Sequence, residues 1–490
     1  MKQRIAALLA AVFVVLAATG IAAGGQFEDG AAASERGDYA EALRLWRPLA
    51  EQGDAKAQFS LGAFYEEGKG LPPDADQAAT WYRKAADQGY AAAQNGLGRL
   101  YVLGRGAPKD LEQAAAWYRK AADQGYVFAQ VNLANMYFSG QGVPQDEAQA
   151  AVWYRKAADQ GNAAAQVDLA SLYRNGTGVA RDDAQAAVWY RKAAEQGNAP
   201  ARFGLGLLLQ HGWGVSRDEA QAAAWYRKAA DQGYALAQTN LGLLYYYGLG
   251  VPEDDAQALF WYHKAADQGL ADAQFHIGAI YDGGNGVPQD DAQAAAWYLK
   301  AADQGNMLAQ NNLGTLYANG RGVQRDDGQA AAWFRKAADQ GLAQAQFNLA
   351  GMYAGGQGVP LDVAQAAGWL RKAAEQGYAL AQNDLGDDYY QGRGVQQDYS
   401  QAAAWFRKAA EQGEGAALKT LGAMYAEGRA VPRDAIEAYK WYTLAADRLD
   451  DAHGRQALAG ELERMAARMT PAERDETLRK VSEWRARADQ

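Results

Sequence analysis

Cysteine is absent from the 490 residues. That excludes a disulfide frame, and it excludes a lipid anchor carried on an N-terminal cysteine. Histidine is nearly absent: His211, His263, His276 and His453 are scattered and make no metal-ligand spacing. Neither a Gly-x-Ser-x-Gly elbow nor a phosphate-binding loop occurs. Positive charge is in deficit, with Lys+Arg 48 against Asp+Glu 58, net charge −10 and a pI of about 5.1. Affinity for nucleic acid rests on neutralising phosphates, so no nucleic-acid partner is expected. On the same grounds no metal, no cofactor and no enzymatic activity are expected.

What is present is a beat. Tryptophan falls at Trp81, Trp117, Trp153, Trp189, Trp225, Trp261, Trp297, Trp333, Trp369, Trp405 and Trp441, each 36 residues after the last. A fixed period between about 20 and 50 residues marks a solenoid of stacked supersecondary units. Such arrays present a long surface to a partner and seldom carry chemistry. At this length a globule would divide into several domains, whereas an unbroken period predicts one elongated array.

Each unit reads as two helices. In the third, Phe128–Phe138 places Ala129, Leu133, Ala134 and Tyr137 on one helical face. Gly140-Gln141-Gly142-Val143-Pro144 breaks the helix. Asp146 and Gln149 then form a capping-box pattern that recurs once per unit, from Asp74/Gln77, Asp110/Gln113 and Asp182/Gln185 to Asp434/Glu437. Ala150, Trp153, Tyr154, Ala157 and Ala158 make the buried stripe of the second helix, and Gly161 closes it in a left-handed conformation. The Gly-x-Gly of each loop keeps the same period, so it is a turn. Pairs such as Arg155-Lys156 read as a solvated helix surface.

The two ends differ from the middle. Lys2 and Arg4 precede an apolar run from Ile5 to Ala18, and Thr19-Gly20-Ile21-Ala22-Ala23-Gly24 follows. This is the pattern of a secretory signal peptide, residues 1–25, with cleavage between about residues 20 and 26. Cleavage removes Lys2 and Arg4 and takes the net charge from −10 to −12. No stable membrane insertion is then expected, and the mature protein is placed in the periplasm or outside the cell. The alternative is an inner-membrane anchor over residues 5–23, just long enough to span a bilayer. Residues 26–54, with a helix over Ala40–Glu51 and Trp46, read as a partial repeat that caps the array. Residues 55–449 are eleven repeats, and 450–490 are capping helices. There Gly460–Arg468 is read as helical, Thr470-Pro471-Ala472-Glu473 as a capping box, and Leu478, Val481 and Trp484 as an apolar stripe.

The motif Ala-Gln-x-x-Leu-Gly-x-x-Tyr-x-x-Gly-x-Gly-Val-x-x-Asp, followed by Trp-Tyr-x-Lys-Ala-Ala and Gly, resembles the Sel1-like repeat, a relative of the tetratricopeptide repeat. Residues 55–89 carry it as Ala57-Gln58, Leu61-Gly62, Tyr65, Gly68, Gly70, Asp74, Ala78, Trp81-Tyr82, Lys84-Ala85-Ala86 and Gly89. The resemblance implies an all-α fold, a right-handed α/α superhelical solenoid of helix-turn-helix repeats, in an exported bacterial protein. It also implies that the first helix of each repeat lines a concave groove. The groove positions are then Asn132 and Asn135 in the third repeat, and Asp168, Asn240, His276, Asn312, Asn348 and Asp384 in later ones. Asparagine donates to and accepts from the backbone of an extended peptide. The expected function is a protein- or peptide-binding scaffold of the bacterial envelope. The alternative is a carbohydrate- or peptidoglycan-binding accessory or an envelope enzyme.

Repeat five departs most from the pattern. Pro200 and Arg202 replace the usual residues, and Leu208 is read in place of the tyrosine. His211-Gly212-Trp213-Gly214 fills the loop, where Trp213 is either a packing plug or a partner contact.

Overall fold

The computed structural model describes residues 25–448 and 452–488. The secretory segment with Lys2, Arg4 and the apolar run, and the side chain of His453, lie outside the described residues. Among these residues there are 26 helices and no strand, which is the all-α solenoid of helix-turn-helix repeats expected. No helix among them is long and apolar enough to cross a membrane. The chain divides into two compact units, Met1–Gln232 and Gly233–Gln490.

In the first unit the third repeat pairs helices Val127–Ser139 and Glu147–Asp159. Ala129, Leu133, Ala134, Trp153, Tyr154, Ala157 and Ala158 are buried. Two glycines shape the loop. Gly140 caps the first helix at φ 68°. Gly142, at φ 72°, lies so close to the preceding repeat that a Cβ there would sit 2.1 Å from the Leu111 carbonyl oxygen. Only glycine fits both conditions. The sequence pattern predicted a full capping box at Asp146, but half of it forms. Asp146 Oδ1 accepts from the Gln149 amide at 2.9 Å, while the Asp146 amide donates to the Tyr137 carbonyl, also at 2.9 Å. The backbone bond pins the second helix to the end of the first and leaves the Gln149 side chain no orphan donor to satisfy.

The recurring Ala-Gln and Gln-Gly pairs have a role the sequence reading did not assign. Gln130 is 3% exposed and donates to the Ala122 carbonyl of the previous repeat at 3.3 Å. It accepts from Gln160 at 2.8 Å. In the second unit Gln310 repeats this with Ala302 at 3.0 Å and Gln340 at 2.8 Å. A helix-end carbonyl that already accepts from the glycine amide after it thereby gains a second bond from the next repeat, whereas Leu418 holds the glutamine place in the last repeat. Repeat five keeps the link by other means: Arg202 Nε donates to the Ala194 carbonyl at 3.1 Å. Its tyrosine place is held by Leu209, whose carbonyl accepts from Asp218, and Leu208 is a core residue one position earlier.

The Arg-Lys pairs are more than solvated surface. Lys156 Nζ lies 3.7 Å from the centroid of Trp153, and the Arg155 guanidinium lies 5.4 Å from the Tyr173 ring of the next repeat. Both are cation–π contacts.

The ends hold further corrections. A helix over Gln26–Glu35 precedes Tyr39–Glu51. Trp46 is therefore fully buried, stacked on Phe27 at 5.7 Å and donating from Nε1 to the Phe27 carbonyl at 3.0 Å. At the other end the helix read as Gly460–Arg468 runs over Ala452–Ala466. The Thr470/Glu473 box is reciprocal, with the Thr470 amide donating to Glu473 Oε2 at 2.8 Å. Leu478 is 60% exposed; Thr477, Val481 and Trp484 are the buried face of helix Pro471–Ala488. That face packs on helix Ala435–Arg448, where Lys480 Nζ meets Glu437 at 2.9 Å.

Candidate binding surface

The position just before the first-helix leucine is polar in most repeats, with Gly96 and Gly204 departing and lying against the second-helix rings of Tyr82 and Tyr190. In the first unit Asn132 Nδ2 donates to Asn95 Oδ1 of the preceding repeat at 2.9 Å. Asn135 is exposed and accepts from the Tyr154 hydroxyl. Asp168 is half-buried, and burial raises its carboxyl to about 6. Trp213 stacks on His211 at 4.3 Å, with the Arg174 guanidinium 5.1 Å from its ring. In the second unit Asn240 donates to the Leu236 carbonyl at 2.9 Å. The His276 ring stacks on Tyr262 at 5.0 Å, and burial lowers its affinity for a proton. Asn312 donates to the Tyr298 hydroxyl at 3.2 Å, and Asn348 to Asn311 Oδ1 at 2.9 Å. Asp384 accepts from Asn383 at 3.1 Å. Each asparagine at this position thus spends part of its donor capacity inside the stack.

Asn348 and Asp384 do share one space, a cavity of about 590 Å³ on the first-helix face of the second unit. Its opening follows from small residues at the rim. Two repeats earlier, Tyr246 meets the loop residue Asn285 at 2.6 Å, and in the following repeat Asp282 meets Arg321 at 2.7 Å. Ala318 and Ala354 hold the corresponding places in later repeats, opposite Gln357 and Arg393, and fill nothing. A Cβ built on Gly351 would meet no atom within 4 Å. The floor is apolar, made by Phe334, Phe347, Met352 and Leu370. The second-helix ring that is a tyrosine at Tyr262 and Tyr298 has become Phe334 and then Leu370, so its hydroxyl is gone.

The residue that sequence reasoning missed is Asp388. Its place in the other repeats of this unit is held by Leu244, Ile280, Leu316, Met352 and Met424, all core residues. Asp388 is equally buried, 8% exposed. Burial raises its carboxyl to about 6; Arg393, whose Nε lies 3.3 Å from Oδ1, opposes that, and Asp384 and Asp387 add to it. The signal was legible as one carboxylate in a column of apolar residues, but only the positions expected to face the groove were compared. Among the described residues no group of His, Asp and Glu is placed to hold a metal ion.

A family model described as Sel1 repeat matches residues 25–54, 55–90, 91–126, 127–162, 163–198, 199–234, 235–270, 271–306, 308–342, 343–378, 379–414 and 416–448. A protective antigen present in uropathogenic Escherichia coli strains, displaying an SLR fold, is similar at 39% identity and a TM-score of 0.73. The match covers 90% of this chain and 94% of that one. A Sel1 repeat protein from Oxalobacter formigenes is similar at 36% identity and a TM-score of 0.52, over 68% of this chain and 97% of that one. Comparison with the curated proteins gave no match.

Proposed function

The chain belongs to the Sel1 repeat family, and on that premise we propose that it is a non-enzymatic scaffold of the bacterial cell envelope that holds a protein or peptide on the face of its first helices. An interaction scaffold is what a repeat solenoid of this kind fits in general. The observation that supports the site is the cavity of about 590 Å³, which joins an apolar floor to a few convergent polar groups. Export is supported by the signal-peptide pattern of residues 1–25.

Two measurements test the reading. N-terminal sequencing of the protein from its native host is expected to begin between about residues 20 and 26, in a soluble periplasmic or extracellular fraction; recovery of Met1 from a membrane pellet would contradict export. The purified mature protein is expected to retain discrete proteins from an envelope extract and to stay in the supernatant when peptidoglycan is sedimented. Replacing Asn312 and Asn348 together by Ala should weaken retention, while Lys300→Ala should not. Co-sedimentation with peptidoglycan and no retained protein would instead favour a carbohydrate-binding role.

A further inference from the structure

The cavity in the second unit is built for one kind of guest. We propose that it is a socket for a single basic side chain, arginine or lysine, presented by a protein partner. The guest's aliphatic stem lies against Phe334, Phe347 and Leu370, and its charged end meets Asp384 and Asp388. The socket rests on the scaffold reading above and names the chemistry of the partner.

Charge complementarity carries the argument. Of the residues that line the cavity, only Asp384, Asp388 and Arg393 are charged or titratable, and Asp387, next to Asp388 in the same helix but outside the lining, adds its field to that of Asp384. The balance is negative. Arg393 already shows the chemistry from within, since its guanidinium lies 3.3 Å from the Asp388 carboxylate. That guanidinium is half-exposed on a loop and also lies within electrostatic reach of Asp384, which accepts a hydrogen bond from Asn383 at 3.1 Å, so a second cation would meet two carboxylates that share one arginine. The apolar floor fits the stem of a long cationic side chain, which buries its methylenes and keeps its charge for a polar partner. The volume, about 590 Å³, falls within the range of roughly 300–1,000 Å³ usual for small-ligand sites. Gly351 leaves the mouth clear.

Asp388 is the second, independent observation. The fold does not need it. Met352, one repeat earlier, fills the same position and the same loop geometry follows, with Gly356 and Gly392 both left-handed at φ 62° and 74°. A buried carboxylate held against its preference for water is costly to the fold. Local rules are broken in this way where a site requires it. Burial raises the affinity of Asp388 for a proton, and the Arg393 guanidinium offsets that only in part.

The test uses the full mature protein and four fluorescent decapeptide pools, identical except for a fixed central Arg, Lys, Glu or Ala. Fluorescence polarisation at pH 7.5 is expected to show the Arg and Lys pools binding at least tenfold tighter than the Glu and Ala pools. Asp388→Leu restores the residue type of the other repeats, so it should fold and melt no lower, yet lose that preference. Asp384→Asn should reduce it independently. Acidification to pH 5 should weaken the preference in the parent protein as Asp388 takes up its proton. Equal binding of the four pools, tighter binding of the Glu pool, or an unchanged preference in Asp388→Leu would overturn the socket. Retention of the same envelope proteins by the parent and Asp388→Leu at equal affinity would overturn the socket and leave the scaffold reading standing. Binding of the Arg pool by a protein that retains nothing from the envelope would support the socket and count against the scaffold.

Discussion

Moving one repeat along the array, from Met352 to Asp388, exchanges a buried thioether for a buried carboxylate. The folded protein holds the Asp388 proton up to about pH 6, whereas an unfolded chain releases it near the ordinary carboxylate value of 3.8. Between those values the native state binds more protons, so this residue's contribution to stability falls as pH rises through the window. Asp388→Leu should therefore raise the melting temperature at pH 7.5, and the gain should shrink on acidification towards pH 4. A gain independent of pH would show that the carboxyl is solvated in the native state. The opposite case is Gln310, whose buried amide is satisfied on both sides. Gln310→Ala removes two hydrogen bonds, although the Ala302 carbonyl keeps the Gly305 amide at 3.0 Å and the exposed Gln340 amide keeps the Lys336 carbonyl, so the cost should be about 0.5–1.5 kcal/mol for each bond lost. Urea melts that differ by less than about 0.5 kcal/mol would remove the glutamine link from the account. Neither residue was weighed in the sequence reading, for a shared reason. A period shows what recurs, and it hides both the function of a recurring pair and the meaning of one exception.

Helices were the most legible elements. A 36-residue beat with Asp before and Gly after each second helix predicted the pairs, and the boundaries fall where those caps stand. What the pattern missed lies where the repeat is incomplete. Gln26–Glu35 lacks the Ala-Gln-x-x-Leu-Gly signature, so residues 26–54 read as only a partial repeat with one helix over Ala40–Glu51. In the structure helix Gln26–Glu35 covers Trp46, and Phe64 meets the indole edge-on at 5.1 Å. Trp46→Ala should therefore cost about 3–5 kcal/mol, as for other large buried side chains. Trp261→Ala, 4% exposed in the parent, is the comparison. Comparable losses in the two denaturant curves are expected; a loss confined to Trp261→Ala would show that the N-terminal end is loosely packed. At the C-terminus the error was one of phase. Leu478 was assigned to the stripe, but with Val481 and Trp484 buried the helical period places Thr477 there, and its hydroxyl is satisfied by the Glu473 carbonyl at 2.9 Å.

At the scale of the whole molecule, twelve matched segments account for nearly all of residues 25–448. A repeat array spreads its stability over neighbours, so one junction is free to carry an exception without loss of the fold. The cavity around Asn348, Asp384 and Asp388 is such an exception. The sequence reading named two of those three residues, because it asked which first-helix positions vary. It did not foresee that Ala318, Gly351 and Ala354 would remove the rim and open a cleft beside the polar row. Those residues are small, and their effect exists only when consecutive repeats are stacked. The central claim is that a partner occupies this face. It is tested most directly by incorporating a photo-crosslinking amino acid at position 351, whose Cβ would enter open space, and at position 332, an exposed site on second helix Asp327–Asp339. Irradiation of the exported protein in its native host should give a discrete crosslinked partner from position 351 and none from 332. Crosslinks from 332 with none from 351 would place the partner on the opposite helices and contradict the account.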